Sequence, residues 1–558
     1  MKLTNPWVGY ANRSYLSIKN SLLNRLGEKM PEVSDHSESN ILVIILSMFA
    51  GVAEMLNYYI DNTAREAFLP TARRYSSVVR HTRLIDYRIK AIIPATVDLQ
   101  IKFVQQGIIT PTTNPFNIPI GTIFTTANGI QFVSSIEVNV PLGSTIITVP
   151  VMQMTYMPDM FIGTIETLDD PVFSLGSDYV NNSLSLTVGG EPWERVETLG
   201  LSGPTDKHYI VDISVDRIAY IRFGDNINGL VPTMGAELVG DYYVSEGANG
   251  NVLENNITTT EFNLAQGGTN FEITNLTQAV GGTDYEDIKR LKRSAPLHLR
   301  TLNRAVTEQD HVDISLLAPG VDKADIEYNC GKTIDIYISP NGGGVASSNL
   351  LQSTENYFED KKMVGTFIKA KPAGISEIYL ELRVTAKFRR SAIQTSEDVK
   401  NALLNAYSYE NSDINKKIRL SDVIALVDNL EKVDYLDLLK IYLIPYIRPV
   451  GHNEILVGDI QILPGSNTRL NWKLQYDGST MRLYKANIHI GNITINTPYT
   501  DPEGIISLLI EPGNYITGQE WEFTTEPTGV NIETNDFSVP VLTEDNLIIT
   551  VIEQITAG

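Results

Sequence analysis

The chain has one cysteine in 558 residues, Cys330. That excludes an internal disulfide framework and any multi-cysteine metal site. Cys330 lies between Asn329 and Gly331 in an expected turn, where an inert thiol is the simpler reading. Basic residues are also scarce: 44 Lys and Arg against 66 Asp and Glu give a formal charge of −22. Phosphate binding needs a basic surface that releases counterions, so no nucleic acid is expected as the main partner, and only a local basic patch remains open. No apolar run is long enough to predict a membrane span. Residues 41–53 are the most apolar stretch, but Glu54 interrupts them short of the roughly 20 residues a bilayer requires. Residues 1–7 are polar and turn-like where a signal peptide would be apolar, which predicts synthesis in a cytoplasm.

Motifs that carry chemistry are absent as well. The seven histidines form no HExxH or similarly spaced set, and neither a Gly-x-Ser-x-Gly elbow nor a Gly-Lys-Ser/Thr phosphate loop occurs. Gly342, Gly343 and Gly344 follow a strand pattern without the lysine a phosphate cradle needs, so they read as a flexible turn. No catalytic, cofactor-binding or metal-binding residue is named, no cofactor is expected, and the chain does not read as an enzyme.

Helical periodicity dominates the first 90 residues. Tyr15, Ile18, Leu22 and Leu26 predict a helix over 12–26 that Gly27 ends. Asp35, with Glu38 three residues on, reads as the cap of a second helix. In it Ile41, Ile45, Met48, Val52, Met55 and Tyr59 recur in steps of four and three, beside a second stripe of Leu42, Leu46, Phe49, Leu56 and Ile60. Such a face suits either a long core helix or a helix lent to a bundle between subunits, and the six residues of the first stripe are the candidate partner-binding set. After the break at Leu69 and Pro70, Thr71 is the expected cap of a third helix. It carries Arg73, Arg74, Arg80 and Arg83, either a solvated face or a docking face for an acidic partner.

From about residue 91 the apolar period becomes two, which predicts a β-domain, with a second strand-rich block at about 160–245. Within that block, 224–229 reads as a hairpin turn rather than a calcium loop, because its oxygen ligands do not follow the spacing of such loops. Residues 281–320 pack several caps and turns together. Gly281 and Gly282 precede Asp284 and Asp287, which predict a helix that Pro296 limits; Thr307 and Asp310 repeat the cap; Pro319 and Gly320 end the second helix before two strands. Farther on, Ile378, Leu380, Leu382, Val384, Ala386 and Phe388 share one face of the clearest strand in the chain. The expected architecture is α+β multidomain. It comprises a helical N-terminal region (1–90), a β-domain (91–275) with the inserted β-module, an α+β scaffold domain (276–450), and a sandwich-like C-terminal β-domain (451–558) reached through a linker at Pro445, Pro449, Val450 and Gly451.

Several segments, taken in order, resemble the baseplate J family and related baseplate wedge proteins of contractile-tailed bacteriophages. They are Phe68-Leu69-Pro70-Thr71-Ala72-Arg73; Ile118-Pro119-Ile120-Gly121-Thr122 with Gly129-Ile130-Gln131-Phe132; Ser245-Glu246-Gly247-Ala248-Asn249-Gly250-Asn251-Val252; Gly281-Gly282-Thr283-Asp284-Tyr285-Glu286; Arg304-Ala305-Val306-Thr307; and Ala318-Pro319-Gly320-Val321. The resemblance spans about 35–450 and leaves the last domain outside it. It implies a noncatalytic structural subunit of a six-fold virion tail baseplate around the tail tube, synthesised in the bacterial host cytoplasm. The implied partners are other wedge subunits, further copies of the chain, a small lysozyme-like wedge protein, and tube and sheath. Its implied role is to relay host contact to sheath contraction through repacking at interfaces. Two alternatives stand beside it. Trp472, Tyr476, Tyr484 and Trp521 fit either a core or the platform of a receptor- or carbohydrate-binding tail protein, and a tail-associated glycan hydrolase has no catalytic residues to name.

Overall fold

The change of apolar period near residue 91 coincides with a change from helices to strands. The computed structural model describes residues 14–32, 35, 37–105, 108–169, 171–264, 270–329, 332–444, 447–449, 458–462, 469–503, 505–510, 515, 517–525 and 537–553. Cys330, residues 1–7, Pro445, Val450 and Gly451 lie outside them. The fold is α+β and multidomain. One compact unit gathers the described part of Met1–Ala91 with Met157–Tyr242 and Tyr285–Leu302; the other gathers Ile92–Tyr156, Tyr243–Asp284 and the described part of Asn303–Gly558.

The first unit contains helices α1 (Tyr15–Lys29), α2 (Ile41–Glu66), α3 (Tyr75–Arg83) and α4 (Ile288–Thr301). α1 runs through Gly27 to Lys29, two residues past the expected stop. Asn40, not Asp35, caps α2 by accepting from the Leu42 N–H, while Asp35 holds the preceding turn through Ser37 and Asn40. In α4 the cap is Asp287, which accepts from the Arg290 N–H. Pro296 sits inside α4 and costs a hydrogen bond without stopping the helix; the stop is Leu302, left-handed at φ 47°.

The same unit holds the 157–242 part of a seven-stranded sheet whose middle strands are Ser185–Val188, Glu191–Arg195, His208–Ile213 and Ala219–Phe223. Trp193 packs edge-on against Phe223 at 5.1 Å between ring centres, which anchors this sheet's core. Residues 224–229 form a tight turn in which Asp225 accepts from the Ile227 and Asn228 N–H groups. It is not a hairpin, contrary to expectation. Ala219–Phe223 pairs with His208–Ile213 and Val172–Gly176, and the strand that follows the turn, Glu237–Val244, lies elsewhere in the sheet.

In the second unit an antiparallel sheet is built around Thr96–Gln105, with Leu99, Ile101, Phe103, Phe124 and Phe132 fully buried. Gly282 joins this sheet to the next segment. Its N–H donates to Asn251 Oδ1 at 2.9 Å, and its carbonyl accepts from Asn251 Nδ2 at 2.8 Å. A Cβ at Gly282 would stand 2.5 Å from the Gly247 carbonyl oxygen, so only glycine fits. Asp284, expected as a helix cap, instead accepts from the Ala248 N–H. Helix α5 (Glu308–Leu317) has a full capping box: Thr307 accepts from Asp310 N–H, and Asp310 accepts from Thr307 N–H. Helix α6 (Ser348–Tyr357) and strands Val321–Asn329, Thr333–Pro340 and Phe367–Pro372 follow.

The clearest strand of the sequence is Gly374–Ala386. Helices α7 (Ala392–Ala406) and α8 (Leu420–Asp428) contribute to the core over Ile378, Leu380, Leu382 and Val384, all fully buried. Phe388 lies past the strand end and is exposed rather than on that buried face. Val433–Ile444 flanks the strand antiparallel, and on its other side Ser538–Val541 and Leu547–Glu553 pair with it in parallel. The last strands therefore belong to the α+β sheet and not to a domain spanning 451–558. Between them lies a small two-sheet body whose core includes Trp472, Leu474, Leu483 and Trp521.

Candidate functional site

The region that stands out is the N-terminal helical face. α1 packs along α2, and the Tyr15 N–H donates to Glu54 Oε1 at 3.0 Å. No residue of α1 is fully buried, and α2 buries only Val43, Ala50 and Arg65. With 3.6 residues per turn, Val43, Ala50 and Glu54 lie on the side of α2 toward α1. Ile41, Ile45, Met48, Val52, Met55 and Tyr59 lie on the opposite side and are 43–71% exposed. The second stripe divides: Phe49, Leu56 and Ile60 join the exposed face, whereas Leu42 and Leu46 are half-buried. Helix α2 is 26 residues long and, by length and composition, apolar enough to cross a membrane, with 11% of its apolar window buried. It thus extends well beyond the run that sequence bounded at Glu54, because one carboxylate paired with α1 does not end a helix.

The arginines lie on and just before the next helix. Arg73, Arg74, Arg80 and Arg83 are all exposed. Thr71 does not cap α3: its hydroxyl donates back to the Arg65 carbonyl at 2.7 Å. The N-cap residue is Arg74, without a side-chain cap, and the Glu66 carboxylate holds the backbone just before the helix, accepting from the Arg73 N–H at 2.9 Å and the Arg74 N–H at 3.2 Å. Burial pushes the Glu66 carboxyl up, but hydrogen bonds from Arg73, Ser77 and Arg74 outweigh it and hold it below its usual range. Arg83 donates to Asp212 at 3.2 Å and to the Ile213 carbonyl at 2.8 Å, which ties α3 to the sheet. The Arg217 guanidinium lies over the Tyr75 ring at 4.8 Å.

Behind α3, the buried Glu286 accepts from the Tyr87 hydroxyl at 2.7 Å and the Lys90 N–H at 3.2 Å, with Arg290 at 3.8 Å. Burial pulls the Lys90 ammonium down to about 8, against the pull of Glu286. Sequence reading missed this network because Tyr87 and Glu286 are 199 residues apart. The aromatic platform weighed for sugar binding is not one: Trp472 is 1% and Trp521 0% exposed, and Trp472 Nε1 donates to Thr525 inside the core.

Residues 14–84 match the family model of the bacteriophage baseplate protein, N-terminal domain. No curated protein matches the chain. Among solved structures, a chain of the anti-feeding prophage (AFP) baseplate, 6-fold symmetrised, matches at 13% identity. The match covers 75% of this chain and 85% of that one at a TM-score of 0.27. The family match falls on α1, α2 and α3, the helices that present the apolar stripe and the arginines, and it supports a structural subunit of a phage virion baseplate whose partners are other baseplate subunits.

Proposed function

We propose that the chain is a noncatalytic wedge subunit of the baseplate J type, assembled through α2 into a helical bundle with neighbouring wedge subunits. In the assembled tail it relays rearrangement after host contact to the sheath. The observation that carries this reading is the exposed stripe from Ile41 to Tyr59 inside the matched region. Its spacing is that of a coiled-coil seam, and α1 covers only the other side. Fully burying one such side chain contributes roughly 1.5–3 kcal/mol. Six that are already about half covered contribute on the order of 5–10 kcal/mol, enough to offset much of the cost of association. The mechanism is repacking between two rigid-body arrangements at subunit interfaces, which needs no reactive group. Tube, sheath and a small lysozyme-like wedge protein are the further partners of this reading, and the host cytoplasm is its place of synthesis.

The test is the full chain with Met48→Gln and Met55→Gln, which keep side-chain length and helix propensity but place amides at the seam. Co-expression with the other wedge subunits of the same phage is expected to yield assembled wedges for the parent and normally folded chain bound to no other wedge subunit for the variant. Unimpaired assembly of the variant would sink the proposal. So would a parent chain that floats with lipid vesicles and forms no complex, since that would make the stripe a membrane face.

A further inference from the structure

Charge is distributed very unevenly within the first unit. Residues 65–90 hold seven basic and two acidic side chains, and 285–302 hold five and two, in a chain of net charge −22. These segments meet in space: α3 packs on α4, and Lys292 Nζ donates to the Pro70 carbonyl at 2.9 Å. On α4, Leu291, Ser294 and Ala295 are buried, and Lys289, Arg293 and Arg300 line the exposed side. Arg73, Arg74 and Arg80 are exposed on and before α3. The β-module of the same unit, residues 157–242, has the opposite character, with fourteen acidic and four basic side chains. Glu166, Asp169, Glu191, Glu194, Glu197 and Glu237 are among its exposed carboxylates.

We propose that the basic face of α3 and α4 docks the acidic β-module of a second copy of this chain. The inference rests on the assembly reading and adds a contact distinct from the α2 seam. Charge complementarity selects the occupant, since each copy carries both a basic surface and an acidic module. The contact within one copy between Arg83 of α3 and Asp212 of the module shows that the two surfaces can meet. A basic face on one copy against a different surface on the next is a heterologous contact, the kind that propagates around a ring. Because the charges are exposed, the contact steers and orients association, and salt screens it.

The experiment uses the full chain carrying Met48→Gln and Met55→Gln, so that the α2 seam is silenced. Sedimentation is measured at low and high salt, followed by carbodiimide coupling of a mixed isotope-labelled and unlabelled population. The expected result is salt-sensitive self-association, with intermolecular links from Lys289 or Lys292 to carboxylates within 157–242. Arg73→Glu, Arg80→Glu and Lys289→Glu together should raise the dissociation constant at least tenfold without changing the melting temperature. Association indifferent to salt and to these reversals, links only to residues outside 157–242, no association at any concentration, or binding of single-stranded DNA in place of self-association would each overturn the inference. The wedge reading is judged separately, by co-assembly of the Met48→Gln and Met55→Gln variant in the presence of the other subunits.

Discussion

Gly282 and Thr307 show what single residues contribute and how differently they were legible. A valine at Gly282 would drive its Cβ to 2.5 Å from the Gly247 carbonyl oxygen and displace Asn251 from its two backbone bonds. We expect Gly282→Val to cost on the order of 3 kcal/mol, read as a fall in melting temperature. Gly121→Ala, at φ +85° in open space, should cost roughly 1 kcal/mol. Equal melting of the two would refute the close-approach argument. Thr307 was legible because its partner Asp310 is three residues away, whereas Glu66 holds the backbone leading into α3 at Arg73, seven residues on, through a turn that no local pattern announces. Burial raises the Asp310 carboxyl, but hydrogen bonds from Thr307 and Val306 outweigh it and hold the pKa below the usual value. Its folded pKa is therefore depressed, so its stabilisation is present above the unfolded pKa of about 4 and is lost as pH falls through the folded value. Thr307→Ala should lower stability by about 1 kcal/mol at neutral pH, and the difference from the parent should shrink in titrations below about pH 4. A difference that holds constant into strong acid would show that the Asp310 charge plays no part.

At the scale of elements, α2 was legible as an amphipathic helix, yet sequence left open whether its wide face belongs to a core or to a partner. Both stripes satisfy helical periodicity, and only the position of α1 tells which side is taken. The structure puts Ala50 at 0% exposure on the covered side and Val52 at 55% on the open side, two residues or about 200° apart. Ala50→Leu should overpack the α1–α2 hairpin by roughly 1–3 kcal/mol and speed hydrogen exchange across α1, whereas Val52→Leu should leave exchange unchanged in the unassembled chain. Reversed outcomes would mean that the two faces have been exchanged. The arginine face was legible as residue types, but not its extension onto α4, because the pairing of α3 with α4 joins segments about 200 residues apart.

At the scale of the whole molecule, the order of α and β segments was readable from the change in period, but the ending of the chain was not. Residues 538–553 look like two more short strands of the last β-rich stretch, and nothing local says that they pair with Gly374–Ala386. Parallel pairing has no turn signal, since its partners are remote in sequence. The pairing is held by more than backbone bonds. Ser376 and Ser538 hydroxyls meet at 2.6 Å, Val539 and Leu542 are buried, and Lys400 reaches Glu544 at 2.8 Å. The body containing Trp472 and Trp521 is thus an insertion between two strands of one sheet, with a core of its own. Removing residues 538–558 should expose the apolar edge of Gly374–Ala386 and cost several kcal/mol, making α7 and α8 sensitive to limited proteolysis. Replacing residues 450–530 with a short Gly/Ser linker removes more of the chain but leaves that sheet complete, so α7 and α8 should stay resistant and their melting transition should remain. If the shorter truncation is tolerated while the larger internal deletion unfolds the sheet, the ending of the chain belongs with the Trp472 body after all.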